Sequence, residues 1–150
     1  PKVEGTYPIG KLMPWEKLDN DSAKVTMGTG VYTTQVEMSG EDAAAQWAID
    51  LGDVRESARV YVNGELIGCA WSVPYILHCG KAFKKGKNTL EIKVTNLPAN
   101  RIADLDRQGV KWRKFNEINI VDINYKKTGY AEWQPVASGL NSTVKLIKEK

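Results

Sequence analysis

Apolar and polar residues alternate with a period of two over much of this chain. Trp47, Ile49 and Leu51 share one face of a run whose intervening positions are small or polar, the period of a half-buried strand. Ala58, Val60 and Val62 repeat the pattern, with Arg59 and Tyr61 on the opposite face. Asn63-Gly64 follows, and both residues tolerate positive φ, which predicts a two-residue hairpin turn before a further strand at 65–68. Leu90, Ile92 and Val94 alternate with Glu91 and Lys93, so the strand at 88–96 has one wet side. A strand at 28–38 places Tyr32, Thr34, Val36 and Met38 on an inner face. A last strand at 142–148 turns Val144 and Leu146 inward. The reading is an all-β chain folded as an antiparallel β-sandwich.

The segments between these strands are less regular. Residues 1–22 hold three prolines, two glycines and an Asp19-Asn20-Asp21 cluster, and Trp15 and Leu18 are placed to lay this irregular lead-in over one sheet edge. Residues 39–46 form a polar loop, and 81–87 a lysine-rich, solvated hairpin loop. The stretch 97–117 is too long for a plain hairpin connection, and long loops in compact domains tend to be functional. Within it 99–106 reads as a short helix. Residues 117–125 read as a strand whose apolar positions slip by one at Ile120-Val121, as at a bulge. At 150 residues the simplest organisation is a single domain over 1–150.

These patterns carry a family resemblance. W-x-I-D-L-G-x-V at 47–54 and A-x-V-Y-V-N-G-x-x-x-G at 58–68 resemble the sugar-binding β-sandwich of family 2 glycoside hydrolases. Pro74, Gly86-x-Asn88-x-Leu90, Val94-Thr95-Asn96, Asn100-Arg101-Ile102 and Ser138-Gly139-Leu140 continue the likeness. This second half resembles the C-terminal module of bacterial family 106 α-L-rhamnosidases. The resemblance spans about residues 28–148 and implies a galactose-binding-like jelly roll. It also implies that the catalytic acids lie on a separate domain of a larger enzyme degrading plant or host polysaccharide. The aromatic expected between Asn96 and Asn100 is replaced here by Leu97-Pro98-Ala99.

Charge and composition narrow the partners. A net charge of +3 is weak for a nucleic-acid binder, and no apolar run is long enough to span a membrane. No signal peptide is evident, and the start at Pro1-Lys2-Val3 reads as a processed chain or an excised piece. A periplasmic or extracellular location in a bacterium follows from the resemblance. Cys69 and Cys79 form one disulfide in an oxidising compartment, or remain two small, partly buried thiols. Sequons at Asn20 and Asn141 would matter only in a eukaryotic secretory pathway.

Candidate chemistry is sparse. His78 is the only histidine, and its neighbour Cys79 points to the opposite face of a strand, which argues against a zinc site. No cofactor is expected. A structural calcium is the one metal raised: Asp19-Asn20-Asp21-Ser22 offers clustered oxygens, although Asx residues equally make turns. Glycoside hydrolysis needs two carboxyls flanking the bond, and Asp104, Asp106, Glu117 and Asp122 are the candidates, with pairing to the Arg and Lys of the same loop as the alternative. Sugar binding asks for aromatic faces and polar forks. Trp71, Tyr75 and Trp112 are the candidate stacking residues, and Asn96, Asn100, Arg101 and Asp104 the candidate polar ones. The expected role is a non-catalytic carbohydrate-binding or accessory module partnered by a catalytic domain. A purely structural interdomain module and a self-contained glycosidase are the rivals.

Overall fold

The computed structural model describes residues 3, 5–113, 124 and 128–149. Among the described residues nine strands form antiparallel sheets: β1 (Thr29–Met38), β2 (Trp47–Asp50), β3 (Val54–Arg55), β4 (Ser57–Val62), β5 (Glu65–Ala70), β6 (Ile76–Gly80), β7 (Gly86–Thr95), β8 (Gly139–Leu140) and β9 (Lys145–Lys148). The four-stranded sheet runs β1-β7-β4-β5, a three-stranded sheet runs β6-β2-β9, and β3 pairs with β8. The strand expected at 117–125 lies outside the described residues, apart from Asn124.

The alternation read from the sequence sets the core. Ala58, Val60 and Val62 of β4 and Leu90, Ile92 and Val94 of β7 are buried, and they meet Ile49, Leu51, Val54, Cys79 and Leu140 from the facing strands. Trp47 packs on this cluster while remaining half-buried. Tyr32, Val36 and Met38 face inward on β1. Thr34 pairs with buried Leu90 and so shares their face, but it stays exposed on the edge strand. Asn63 (φ 52°) and Gly64 (φ 86°) both take left-handed backbone, which matches the hairpin to the strand twist. Asn88 is fully buried among the apolar residues. Its Nδ2 donates to the carbonyls of Lys84 (2.7 Å) and Gly86 (2.9 Å), and its Oδ1 accepts from Lys84 N (2.9 Å) and Asn63 Nδ2 (2.8 Å).

Some expectations need correction. The polar segment 39–46 contains a helix, α2 (Gly40–Ala44), because the Ser39 hydroxyl accepts from Asp42 N and caps it. Cys69 and Cys79 are both free thiols: Cys79 points from β6 into the core, while Cys69 pairs with exposed Arg59 on the outer side of the four-stranded sheet. His78, exposed beside buried Cys79, follows the alternation as read; its Nδ1 meets Glu149 Oε1 at 2.5 Å. Trp15 does lay the lead-in over an edge. Its ring covers Gly30 of β1 so closely that a Cβ there would clash, and its backbone N–H donates to Ser138 O. The sequon at Asn141 has its side-chain amide buried, so a glycan cannot attach to the folded chain there.

Candidate functional site

One end of the four-stranded sheet gathers nearly every residue singled out above. Thr29, Thr95 and Ser57 lie in one row across β1, β7 and β4, and Ala58 pairs with Ala70 at the end of β5. From this end leave the lead-in helix α1 (Asp21–Lys24), the helix α3 (Ala99–Arg107) and the 71–75 loop. α1 and α3 belong to the β1–β7 side. The 71–75 loop continues β5, two strands from β7, or about 10 Å across the sheet.

Two asparagines build this end. The Asn96 amide is spent within the protein: Oδ1 accepts from Gly28 N (2.9 Å), and Nδ2 donates to Thr26 O (3.1 Å) and Ser138 Oγ (3.0 Å). Asn100, buried in the first turn of α3, donates to Val136 O and accepts from Val136 N. Both polar forks face protein rather than solvent.

The rest of α3 sorts by helical period. Arg101, Asp104 and Gln108 are spaced i, i+3, i+7 and share a face. Arg101 Nη1 meets Asp104 Oδ2 at 2.6 Å, and Gln108 Nε2 donates to Asp104 Oδ1 at 2.9 Å. Opposite stand Asp21, Ser22 and Lys24 of α1, with Val25 behind them, and the two helices enclose a groove of about 570 Å³. Asn20 caps α1 by accepting from Ala23 N, and Lys24 Nζ meets Asp21 Oδ1 at 2.7 Å. The Lys24 hydrogen bond holds Asp21 below the usual carboxylate range, and Asp21 raises Lys24 in return. Both stay charged at neutral pH.

The opposite side of α3 holds an aromatic cluster. Asp106 accepts from Trp112 Nε1 and from Tyr130 N, and Arg107 donates to Ala131 O. The Arg113 guanidinium lies 5.3 Å from the Trp112 ring and 5.0 Å from the Tyr130 ring, and Trp133 meets Tyr130 edge-on at 4.4 Å.

The structure therefore divides the sequence candidates. Arg101 and Asp104 face a groove together. Trp112 sits across the helix from it. Trp71 stands 76% exposed on the 71–75 loop, and Tyr75 is half-buried against the core. No candidate stacking residue lines the groove. Ser22 was raised from the sequence only as a calcium oxygen, and Lys24 and Gln108 were not raised as site residues. Gln108 was within reach of the i, i+7 spacing, whereas α1 reaches α3 only through the tertiary ties of Trp15 and Asn96. Asp104 and Asp106 face different grooves, so they do not flank one bond; Glu117 and Asp122 lie outside the described residues. Within the Asp19–Ser22 cluster, two of the side chains raised for calcium already have protein partners. Asn20 is spent on a cap and Asp21 on Lys24, and among the described residues no group of three or more His, Cys, Asp and Glu is placed to hold a metal. No helix among the described residues is long and apolar enough to cross a membrane.

Comparison with known proteins places this geometry. The family described as the glycosyl hydrolase 2 galactose-binding domain-like domain matches residues 15–139. A Formosa agariphila protein named "Putative beta-glucuronidase" is 30% identical over 154 residues, which cover 91% of this chain and 13% of that protein. The rhamnosidase from Novosphingobium sp. PP1Y superposes with a TM-score of 0.72 at 31% identity, over 94% of this chain and 13% of that one. The β-D-glucuronidase of Dictyoglomus thermophilum shares the fold, with a TM-score of 0.53 at 19% identity over 64% of this chain and 17% of its own. The chain thus spans about 13% of the length of the first two relatives. It belongs to the glycosyl hydrolase 2 galactose-binding domain-like family, and is an accessory β-sandwich module of the kind that glycoside hydrolases carry.

Proposed function

We propose that this module handles carbohydrate without catalysing its cleavage, as part of a larger bacterial glycoside hydrolase acting on plant or host polysaccharide in the periplasm or outside the cell. The observation that carries the reading lies on α3. Asp104 and Asp106 are each held by fixed donors on opposite sides of the helix, so neither is poised as half of an acid–base pair. The same helix lines an open polar groove. The neighbouring catalytic domain supplies the cleaving carboxylates, and the module positions or retains the glycan.

Calorimetric titration of the 150-residue chain with rhamnose, galactose, galacturonic acid and pectin-derived oligosaccharides tests this. Saturable heat with any of them supports carbohydrate handling. Silence across the panel, carried to sugar concentrations well above millimolar, contradicts it.

One observation favours a second, structural role. Trp71 and Val73 are 76% and 81% exposed on the 71–75 loop, and Met27 and Leu97 are exposed beside the ends of β1 and β7. Apolar surface at this end suits a face that packs on the rest of the parent polypeptide. The two roles use different parts of the same end.

A further inference from the structure

The groove between α1 and α3 has a composition that selects among ligands. Its four ionic groups are two cations and two anions, already paired as Lys24 with Asp21 and Arg101 with Asp104. The formal charges cancel, so a carboxylate or phosphate entering the groove meets no net attraction, and each cation already has a carboxylate beside it at 2.6 or 2.7 Å.

Hydrogen-bonding capacity remains. Arg101 spends only Nη1 on Asp104, which leaves Nε and Nη2 uncommitted among the described residues. Asp21 spends one oxygen on Lys24, and Gln108 keeps its carbonyl oxygen. The Ser22 hydroxyl adds a donor and an acceptor. Donors and acceptors thus stand together on both walls, and half of them belong to charged groups that bind hydroxyls strongly without exchanging an ion pair. A volume of about 570 Å³ falls within the range of small-ligand sites.

Resting on the carbohydrate reading above, we infer that this groove is a site for a neutral sugar residue, bound through vicinal hydroxyls by the free edge of Arg101 and by Asp21, Ser22 and Gln108, and that it disfavours uronates. Without an aromatic platform, affinity comes from polar contacts alone and is weak, with Kd on the order of millimolar. Because the ligand is uncharged, that Kd changes little between low and high salt.

Amide chemical-shift mapping of the 150-residue chain tests the inference. The probes are methyl α-L-rhamnoside, methyl β-D-galactoside, galacturonate and inorganic phosphate. The expected result is saturable shifts at Ser22, Lys24, Arg101 and Gln108 with a neutral glycoside, and weaker shifts with both anions. Arg101→Lys keeps the charge and loses the fork, so it should weaken binding by about fivefold or more while the rest of the spectrum stays put. Gln108→Ala, at the exposed end of α3, should weaken it by a smaller factor and covers the case in which Arg101→Lys perturbs the helix. Tighter binding of galacturonate or phosphate, lost at high salt, overturns the ligand class. Shifts confined to Trp71 or Trp112 overturn the groove and leave carbohydrate handling standing. Absence of shifts with every sugar defeats both readings.

Discussion

Asn100 and Val136 close a reciprocal pair of hydrogen bonds, Nδ2 to carbonyl at 2.8 Å and amide N to Oδ1 at 2.7 Å. A single buried side chain thereby satisfies both backbone groups of a residue in a segment without regular structure, and it fixes α3 to the strand that follows, β8. Truncation strands the Val136 N–H and leaves its carbonyl only the longer Ser138 Oγ bond at 3.4 Å. Asn100→Ala is expected to destabilise the fold by about 2–4 kcal/mol, read from urea unfolding followed by tryptophan fluorescence. A loss below about 0.5 kcal/mol would show that water replaces the clasp.

Gly139 lies against Tyr32. Its φ is +92°, and a Cβ would run into the Tyr32 hydroxyl, which itself accepts from Leu140 N at 3.2 Å. Gly139→Ala therefore carries both backbone strain and a clash, and should cost about 3 kcal/mol or more. Gly64→Ala is the control: its φ is +86°, but no atom lies within 4 Å of the added Cβ, so only the strain term remains, about 1–2 kcal/mol. Equal losses for the two variants would mean that packing at Tyr32 contributes nothing.

The two thiols should behave differently. Cys69 is exposed and is expected to react promptly with a thiol reagent; Cys79 is buried and should react only as the chain opens. Burial, with a smaller contribution from Glu149, pushes the Cys79 thiol up to about 11. The folded chain thus keeps a proton that the unfolded thiol, near 8.5, gives up. Stability should fall as pH rises from about 9 toward 11, since the unfolded state binds fewer protons over that window. Tyr32 is raised as well, chiefly by burial, and adds a decline of the same sign at the alkaline end. Cys79→Ala should flatten the first part of the decline in urea midpoints; an unchanged profile would contradict the assignment.

Asp106 holds the aromatic cluster from α3, through Trp112 Nε1 and Tyr130 N. Asp106→Ala should loosen Trp112 and Tyr130 without disturbing the sheets. The expected signature is greater acrylamide quenching and a red-shifted emission, with β-sheet circular dichroism intact. Loss of the sheet signal would mean that the cluster supports the whole domain.

Much of the fold was legible because its causes are local. Alternation in β4 and β7 follows from one face meeting the core, Asn63-Gly64 announces its turn through positive φ, and 99–106 reads as a helix that extends only one residue further, to Arg107. The two-residue strands β3 and β8 left no signal, since they are too short to show a period and are defined by pairing with each other. α2 did carry one: the Ser39 cap precedes Asp42 by three residues. Of the site, Arg101 and Asp104 were found as a pair, and their mutual ion pair was the alternative reading of the same residues. Asn96 and Asn100 carry the right chemistry for hydroxyls, yet their amides are consumed by protein groups 36 to 70 residues away, a distance no spacing rule spans. Lys24 and Ser22 reach the groove because the lead-in is pinned through Trp15 on Gly30 and through Asn96 on Thr26 and Gly28.

The most direct test of the central claim, that this accessory module holds sugar at the α1–α3 groove, is a crystal structure of the chain soaked with methyl α-L-rhamnoside. The account predicts density for one sugar residue between the helices, with hydroxyls on Arg101 and Gln108 and the Asp104 ion pair unbroken. Density seated instead on Trp71 or Trp112, or a groove filled only by water at saturating sugar, would contradict it.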